Sequence, residues 1–182
     1  MKPIMKFYNR ELELSTLDEI QGKSLSSAQM TFIVGRRRIG KTKLILQAFR
    51  KENEEQANFL YFFAAKKTEE LLCEEYISQI EATLGIKVFG QINQFKLLFE
   101  YLLDLSTKQA LTIVIDEFQE FLSINPSIYS DMQNSWDRYK DKSKINLLLC
   151  GSIYSLMVKI FENAKEPLFG RANKKIHPTF RT

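Results

Sequence analysis

Apolar residues fall along this 182-residue chain in two rhythms. Four short, nearly continuous apolar runs have the length of buried strands: Met30 to Val34, Asn58 to Ala65, Leu111 to Ile115 and Ile145 to Cys150. Between them, apolar positions recur three and four apart, the spacing of a helix with one covered face. The first such stretch holds Leu12, Leu14, Leu17 and Ile20, with Asn9 as N-cap, acidic residues in its first turn and Gly22 as its stop. Leu44, Ile45, Ala48 and Phe49 mark the next. Thr68 opens a third, with Cys73, Ile77, Ile80 and Leu84 on one stripe and Gly85 at its end. A fourth runs from about Ile92 to Leu105 through Phe95, Phe99 and Leu102. Ile128, Met132, Trp136 and Tyr139 define a fifth beginning near Pro126-Ser127, and Leu156, Met157, Ile160 and Phe161 a sixth. The aromatic run at 58–65 suits a strand covered on both faces, and Lys174 to Ile176 a short last strand. Strands alternating with helices predict an α/β fold with a mainly parallel sheet.

One junction carries chemistry. Gly35-Arg36-Arg37-Arg38-Ile39-Gly40-Lys41-Thr42 fits G-x-x-x-x-G-K-[ST] without mismatch, between a strand and a helix as that loop requires. A polyphosphate presents several negative charges in a small volume. It is met by backbone N–H groups, by the positive end of a helix and by one mobile ammonium. Gly35 and Gly40 let the backbone approach, Lys41 reaches the β- and γ-phosphates, and Thr42 offers its hydroxyl to Mg²⁺. Lys43 and the three arginines add positive charge around the same anion.

The second landmark is Leu111-Thr112-Ile113-Val114-Ile115-Asp116-Glu117, an apolar strand ending in two carboxylates. After a phosphate loop, that is where phosphoryl chemistry needs an acid for the metal and a base for water. Asp116 is the metal-site acid and Glu117 the residue that polarises the attacking water; alone, the pair would read as a solvated strand end. Ser152 closes the next strand, where it can sense the γ-phosphate, cap the helix from Ile153 onward, or do both. Phe7, Tyr8, Asn9 and Arg10 precede the first strand, either contacting the nucleotide base or simply packing the first helix.

Composition narrows the setting. Forty-five per cent hydrophobic and 26% charged residues indicate one ordinary globular domain over residues 1–182. The net charge of +4 is partly used by the phosphates and is weak evidence for nucleic acid. Cys73 and Cys150 lie in apolar contexts without metal-ligand spacing, and His177, the single histidine, has no second ligand type nearby. Neither a secretory leader nor 18 consecutive apolar residues is present, so the expected location is cytoplasmic, without a membrane span.

Four segments together resemble the nucleotide-binding core of the archaeal-type P-loop ATPases, AAA+-like and near the STAND signalling ATPases. They are Phe7-Tyr8-Asn9-Arg10-Glu11 with Leu14, the arginine-rich loop, Ile115-Asp116-Glu117-Phe118-Gln119, and Pro167-Leu168-Phe169-Gly170-Arg171. The resemblance implies a three-layer αβα sandwich around a five-stranded parallel sheet of order 5-1-4-3-2. It also implies that Arg171 is a sensor or finger-like arginine meeting charge on the γ-phosphate; a surface salt bridge is the plainer reading of the same residue. Such proteins continue into a helical lid and a winged-helix region. The chain ends at Thr182, so the expectation is a core that lacks its lid.

The favoured activity is Mg²⁺-dependent hydrolysis of ATP to ADP. The alternative is a nucleotide-gated interaction switch with little turnover, acting on a protein partner or on its own copies, within a DNA-associated assembly if nucleic acid is involved at all. Direct DNA binding through Arg36, Arg37, Arg38, Lys43 and the tail lysines Lys174 and Lys175 ranks lower, since the three arginines have a nearer anion. A kinase is disfavoured by the Asp116-Glu117 pair, and a GTPase by Asn173-Lys174-Lys175-Ile176, which lacks the guanine-reading Asp.

Overall fold

A computed structural model describes residues 10–49 and 58–178. Five strands form one all-parallel sheet: β1 (Gln29–Val34), β2 (Phe59–Phe63), β3 (Leu111–Asp116), β4 (Ile145–Gly151) and β5 (Lys174–Ile176), in spatial order β2-β3-β4-β1-β5. This is the expected order 5-1-4-3-2. Around them run α1 (Glu11–Ser24), α2 (Lys41–Phe49), α3 (Glu69–Leu84), α4 (Phe95–Lys108), α5 (Phe121–Ile124), α6 (Ser127–Tyr139) and α7 (Tyr154–Glu162).

Strand periodicity of two divides the core into two layers. Val114 of β3, Leu148 and Cys150 of β4, and Ile33 of β1 face α1 and α2, where Leu17, Ile20, Leu44, Ile45 and Phe49 cover them. The alternate residues, among them Phe32, Ile113, Ile115, Leu147 and Leu149, face the second layer with Tyr76, Phe99, Met132, Trp136 and Phe161. Each large side chain so buried contributes about 1.5–3 kcal/mol, which makes the sheet a rigid platform for the loops at its end. Polar pins add register: Gln21 of α1 accepts from Thr112 of β3 and Asn146 of β4 at 2.9 and 2.7 Å. Both cysteines are buried and unpaired. Burial above all pushes the Cys73 thiol up to about 12 and Cys150 well above its ordinary value, so both remain neutral thiols.

Several expectations change in three dimensions. α1 runs past Gly22 to Ser24, because Gln21 is pinned to the sheet and the buried Ser24 hydroxyl donates back to the Gln21 carbonyl. Its N-cap position is Arg10, and Asn9, like Phe7 and Tyr8, lies outside the described residues. β2 is an edge strand. Only Leu60 and Phe62 are buried, and Phe63 is 53% exposed, so its continuous apolar run does not mean cover on both faces. α4 begins at Phe95 rather than Ile92 and continues to Lys108. The short turn Phe118–Glu120 and α5 had no periodic signature because neither completes two turns. By contrast, Thr68 accepts from the Leu71 N–H and Gly85 takes a φ of 64°, the start and stop expected of α3. Among the described residues no helix is long and apolar enough to cross a membrane.

Candidate nucleotide-binding site

The phosphate loop leaves β1 at Val34 and turns into α2 at Lys41. Gly40 has φ 86°, a conformation most L-residues avoid, and a Cβ there would stand 3.9 Å from the Arg10 guanidinium. Arg38 also takes a left-handed φ of 64°. Arg36, Arg37 and Arg38 are exposed, whereas Ile39 turns inward and is buried. Lys41 is folded back, 8% exposed, with its ammonium donating to the Gly35 and Arg36 carbonyls at 2.5 and 3.1 Å. Those carbonyls belong to the loop itself. The ammonium is therefore held over the loop by two neutral acceptors.

Arg10 braces the loop from behind. Its Nη2 donates to the Ile39 carbonyl at 2.7 Å, and its Nη1 is buried without a hydrogen-bond partner. Of the two expectations for Arg10, base contact or helix packing, the structure shows the second in a particular form, a guanidinium set behind Gly40 and bonded to the loop backbone.

The strand-end carboxylates sit across the cleft. Asp116 accepts the Glu117 N–H on Oδ1 at 2.9 Å and the Tyr61 hydroxyl on Oδ2 at 2.5 Å. The same phenol lies 3.3 Å from the Thr42 hydroxyl. Burial first, and the bond to Asp116 next, push the Tyr61 phenol well above its ordinary pKa, so it keeps its proton as a donor. Glu117 takes a left-handed φ of 53° that swings its side chain out of the strand direction. Its Oε2 accepts from Ser152 Oγ at 2.6 Å and from Gln119 Nε2 at 2.5 Å, while Oε1 lies 3.8 Å from Arg37. Burial opposes the charge of Glu117, but these two hydrogen bonds together with Arg37 and Lys41 outweigh it and hold the carboxyl below its ordinary value. It stands ionised at neutral pH.

Arg37, Arg38, Gly40, Lys41, Thr42, Lys43, Asp116 and Glu117 line one cleft of about 320 Å³, within the range of small-molecule sites. Ser152 reaches it through Glu117. Its role as helix cap is not the one observed, since α7 has Ile153 at its N-cap and no side-chain cap bond.

Arg171 is elsewhere. Its guanidinium forms a fork with Asp137, Nη2 to Oδ2 at 2.9 Å and Nε to Oδ1 at 3.4 Å, and donates to the Phe169 carbonyl. Asn173, two residues on, exchanges hydrogen bonds with Met30 at the start of β1. The phosphate loop follows the other end of that strand, roughly 13 Å away at 3.3 Å per residue. Within one chain, Arg171 does not meet the cleft; the sequence could not show this because strand polarity is a property of the sheet.

Tyr61 and Gln119 were not legible as site residues. Tyr61 is the one hydroxyl in the run Phe59 to Phe63, and Gln119 lies two residues beyond Glu117; those were the available signals.

Gly151, the last residue of β4, leaves no space beside this network. A Cβ there would press within 3.0 Å of the Met157 side chain and of Gln119 Oε1. Gly151→Ala is expected to destabilise the fold by about 1–3 kcal/mol, read as a lowered denaturant midpoint; an unchanged midpoint would mean that the packing gives way freely.

Comparison with known proteins accords with this geometry. Residues 7–180 match the family model of an ATPase domain found predominantly in Archaea. The chain belongs to that family. It is 34% identical over 167 residues to the uncharacterized protein MJECL04 of Methanocaldococcus jannaschii, covering 91% of this chain and 34% of that protein. Among solved structures it resembles a Walker-type ATPase of Pyrococcus abyssi, with TM-score 0.66, 20% identity, and 94% and 53% of the two chains covered. It also resembles Cdc6p of Pyrobaculum aerophilum, with TM-score 0.63, 18% identity, and 96% and 46% covered. A third likeness is to ORC2 of Aeropyrum pernix in ADPNP and ADP complexes, with TM-score 0.60, 21% identity, and 93% and 47% covered. The chain thus spans about a third of the length of its curated relative and about half of these structures. The shared fold is that of P-loop ATPases, and the family is one of ATP-binding domains.

Proposed function

We propose that this domain binds ATP with Mg²⁺ and hydrolyses it to ADP and phosphate. The observation that carries the reading is the convergence of Lys41, Thr42, Asp116 and Glu117, from two separate sequence segments, on one cleft. Lys41 exchanges the Gly35 and Arg36 carbonyls for phosphate oxygens. The arginines at the mouth of the loop offset further phosphate charge, and Glu117, ionised and turned out of its strand, takes the proton of the attacking water.

The residues present fit a magnesium ion. The Thr42 hydroxyl and the Asp116 carboxylate are bridged by a single phenol oxygen, so two hard oxygen donors already face one small volume. Thr42 and Asp116 would hold the ion, which when bound neutralises charge on the phosphates. Among the described residues no cluster of three or more His, Cys, Asp or Glu offers an all-protein metal cage, consistent with an ion shared with substrate.

Arg171 lies at the far end of the sheet, so any part it plays in hydrolysis is toward nucleotide held by a second copy of the chain. One observation favours the switch as second reading: Glu117 Oε2 is tethered by both Ser152 and Gln119, and a base so engaged must be released before it can act on water.

The test is release of phosphate from ATP by the purified protein, with Mg²⁺ and with EDTA, beside direct nucleotide binding. Mg²⁺-dependent release supports hydrolysis. Binding without release selects the switch, and absence of binding overturns both.

A further inference from the structure

Tyr61 stands between the two residues assigned to magnesium, and neither the loop motif nor the strand-end carboxylates require a residue there. Its position in the sheet decides from which side it acts. In the parallel register Tyr61 pairs with Val114 and Phe63 with Asp116, so Tyr61 lies two residues short of the carboxylate along the sheet. Two residues of strand rise are roughly 6.6 Å, about the reach of a tyrosine side chain. The ring therefore runs along the strand direction and delivers its hydroxyl to Asp116 from the body of the sheet.

The proton inventory is equally restrictive. A phenol has one proton, and a carboxylate only accepts. The 2.5 Å contact with Asp116 Oδ2 takes that proton, so the 3.3 Å contact must have the Thr42 hydroxyl donating to the phenol oxygen. The result is a directed chain, Thr42 to Tyr61 to Asp116. With its hydrogen turned toward Tyr61, Thr42 has its lone pairs free for the cleft. Asp116, fixed on Oδ2 by Tyr61 and on Oδ1 by the Glu117 N–H, cannot rotate freely.

We propose that Tyr61 is a positioning residue of the metal site, orienting the Thr42 hydroxyl and the Asp116 carboxylate for Mg²⁺ through this hydrogen-bond chain. The inference rests on the nucleotide-and-magnesium reading above. Tyr61 touches neither phosphate nor water in this role, and it acts only through its two partners. Partners that orient metal ligands are typically worth 10–100-fold in metal affinity.

The experiment is titration of a fluorescent ATP analogue onto wild type and Tyr61→Phe, in EDTA and across a Mg²⁺ series, with thermal melting of both proteins as a control. Phenylalanine keeps the ring and removes only the hydroxyl. The expected result is equal binding in EDTA, an unchanged melting temperature, and about 10-fold more Mg²⁺ needed by Tyr61→Phe for half-maximal enhancement. An unchanged Mg²⁺ requirement overturns the proposal. A lowered requirement overturns it too, by showing that the phenol competes with the ion. Equal weakening in EDTA and in Mg²⁺ reduces Tyr61 to a structural residue. Wild type that binds no analogue under either condition overturns the nucleotide reading itself, and this inference falls with it.

Discussion

Lys41→Ala is expected to weaken ATP binding on the order of 100-fold or more, measured by titration of a fluorescent nucleotide. The ammonium is buried within the phosphate loop, and its present partners are carbonyls, which are weaker acceptors than phosphate oxygens. Two charge-assisted hydrogen bonds at about 1.5–3 kcal/mol each correspond to that loss or a greater one. The fold should tolerate the change, because the ammonium's two partners are carbonyls of the loop itself and, among the described residues, it joins no other element of the fold. A melting temperature close to that of wild type, combined with lost binding, therefore assigns the effect to the site. Retained affinity would show that the exposed arginines, not Lys41, carry the phosphate.

Glu117→Gln should separate chemistry from binding. Glutamine preserves size and can still accept from Ser152 through its carbonyl, but it cannot take a proton from water. The expected outcome is turnover reduced by about 10²–10⁴-fold, the usual contribution of a positioned base, with nucleotide affinity within a few-fold of wild type. The measurement is phosphate release under saturating ATP and Mg²⁺. A variant that hydrolyses as fast as wild type would remove Glu117 from the mechanism and leave its hydrogen bonds to Ser152 and Gln119 as purely structural. The substitution also changes the other side of the group, since with its carbonyl in place of Oε2 the amide nitrogen stands where Oε1 lies 3.8 Å from Arg37 and loses that attraction. Any rearrangement of the segment from Phe118 to Phe121 would be visible as a change in stability, which turnover alone does not report.

Much of the site was legible along the chain because it depends on contiguous residues. The phosphate loop works through its own backbone and the helix it opens, so eight consecutive residues define it. The Asp116-Glu117 pair was legible because a buried strand must end before two adjacent carboxylates. Thr68 and Gly85 marked α3 for a similar local reason. Ser152 was placed correctly at the end of its strand, yet only the fold gave it its observed partner, by setting β3 beside β4 and thereby bringing Glu117 to its hydroxyl.

Other features depended on packing between segments far apart in sequence. Arg10 lies 29 residues from the Ile39 carbonyl it braces, and Tyr61 lies 55 residues from Asp116. Tyr61 reads along the chain as one more aromatic in an apolar strand, because nothing local tells a phenol that fills a core from one that reaches a carboxylate. β2 was misjudged for the same reason: cover is supplied by neighbouring elements, and an edge strand has fewer of them.

Sequence by itself determined the main strands and helices of this protein, their alternation and the place of the phosphate-loop motif, since hydrophobic period, caps and loop motifs act over a few residues. The parallel polarity of β1 and β5 decided that Arg171 lies with Asp137 at the opposite end from the phosphate-loop motif. Strand register decided that Tyr61 joins Thr42 to Asp116. Both are relations between strands, fixed by which apolar faces are buried together, and a linear pattern carries no coordinate for them.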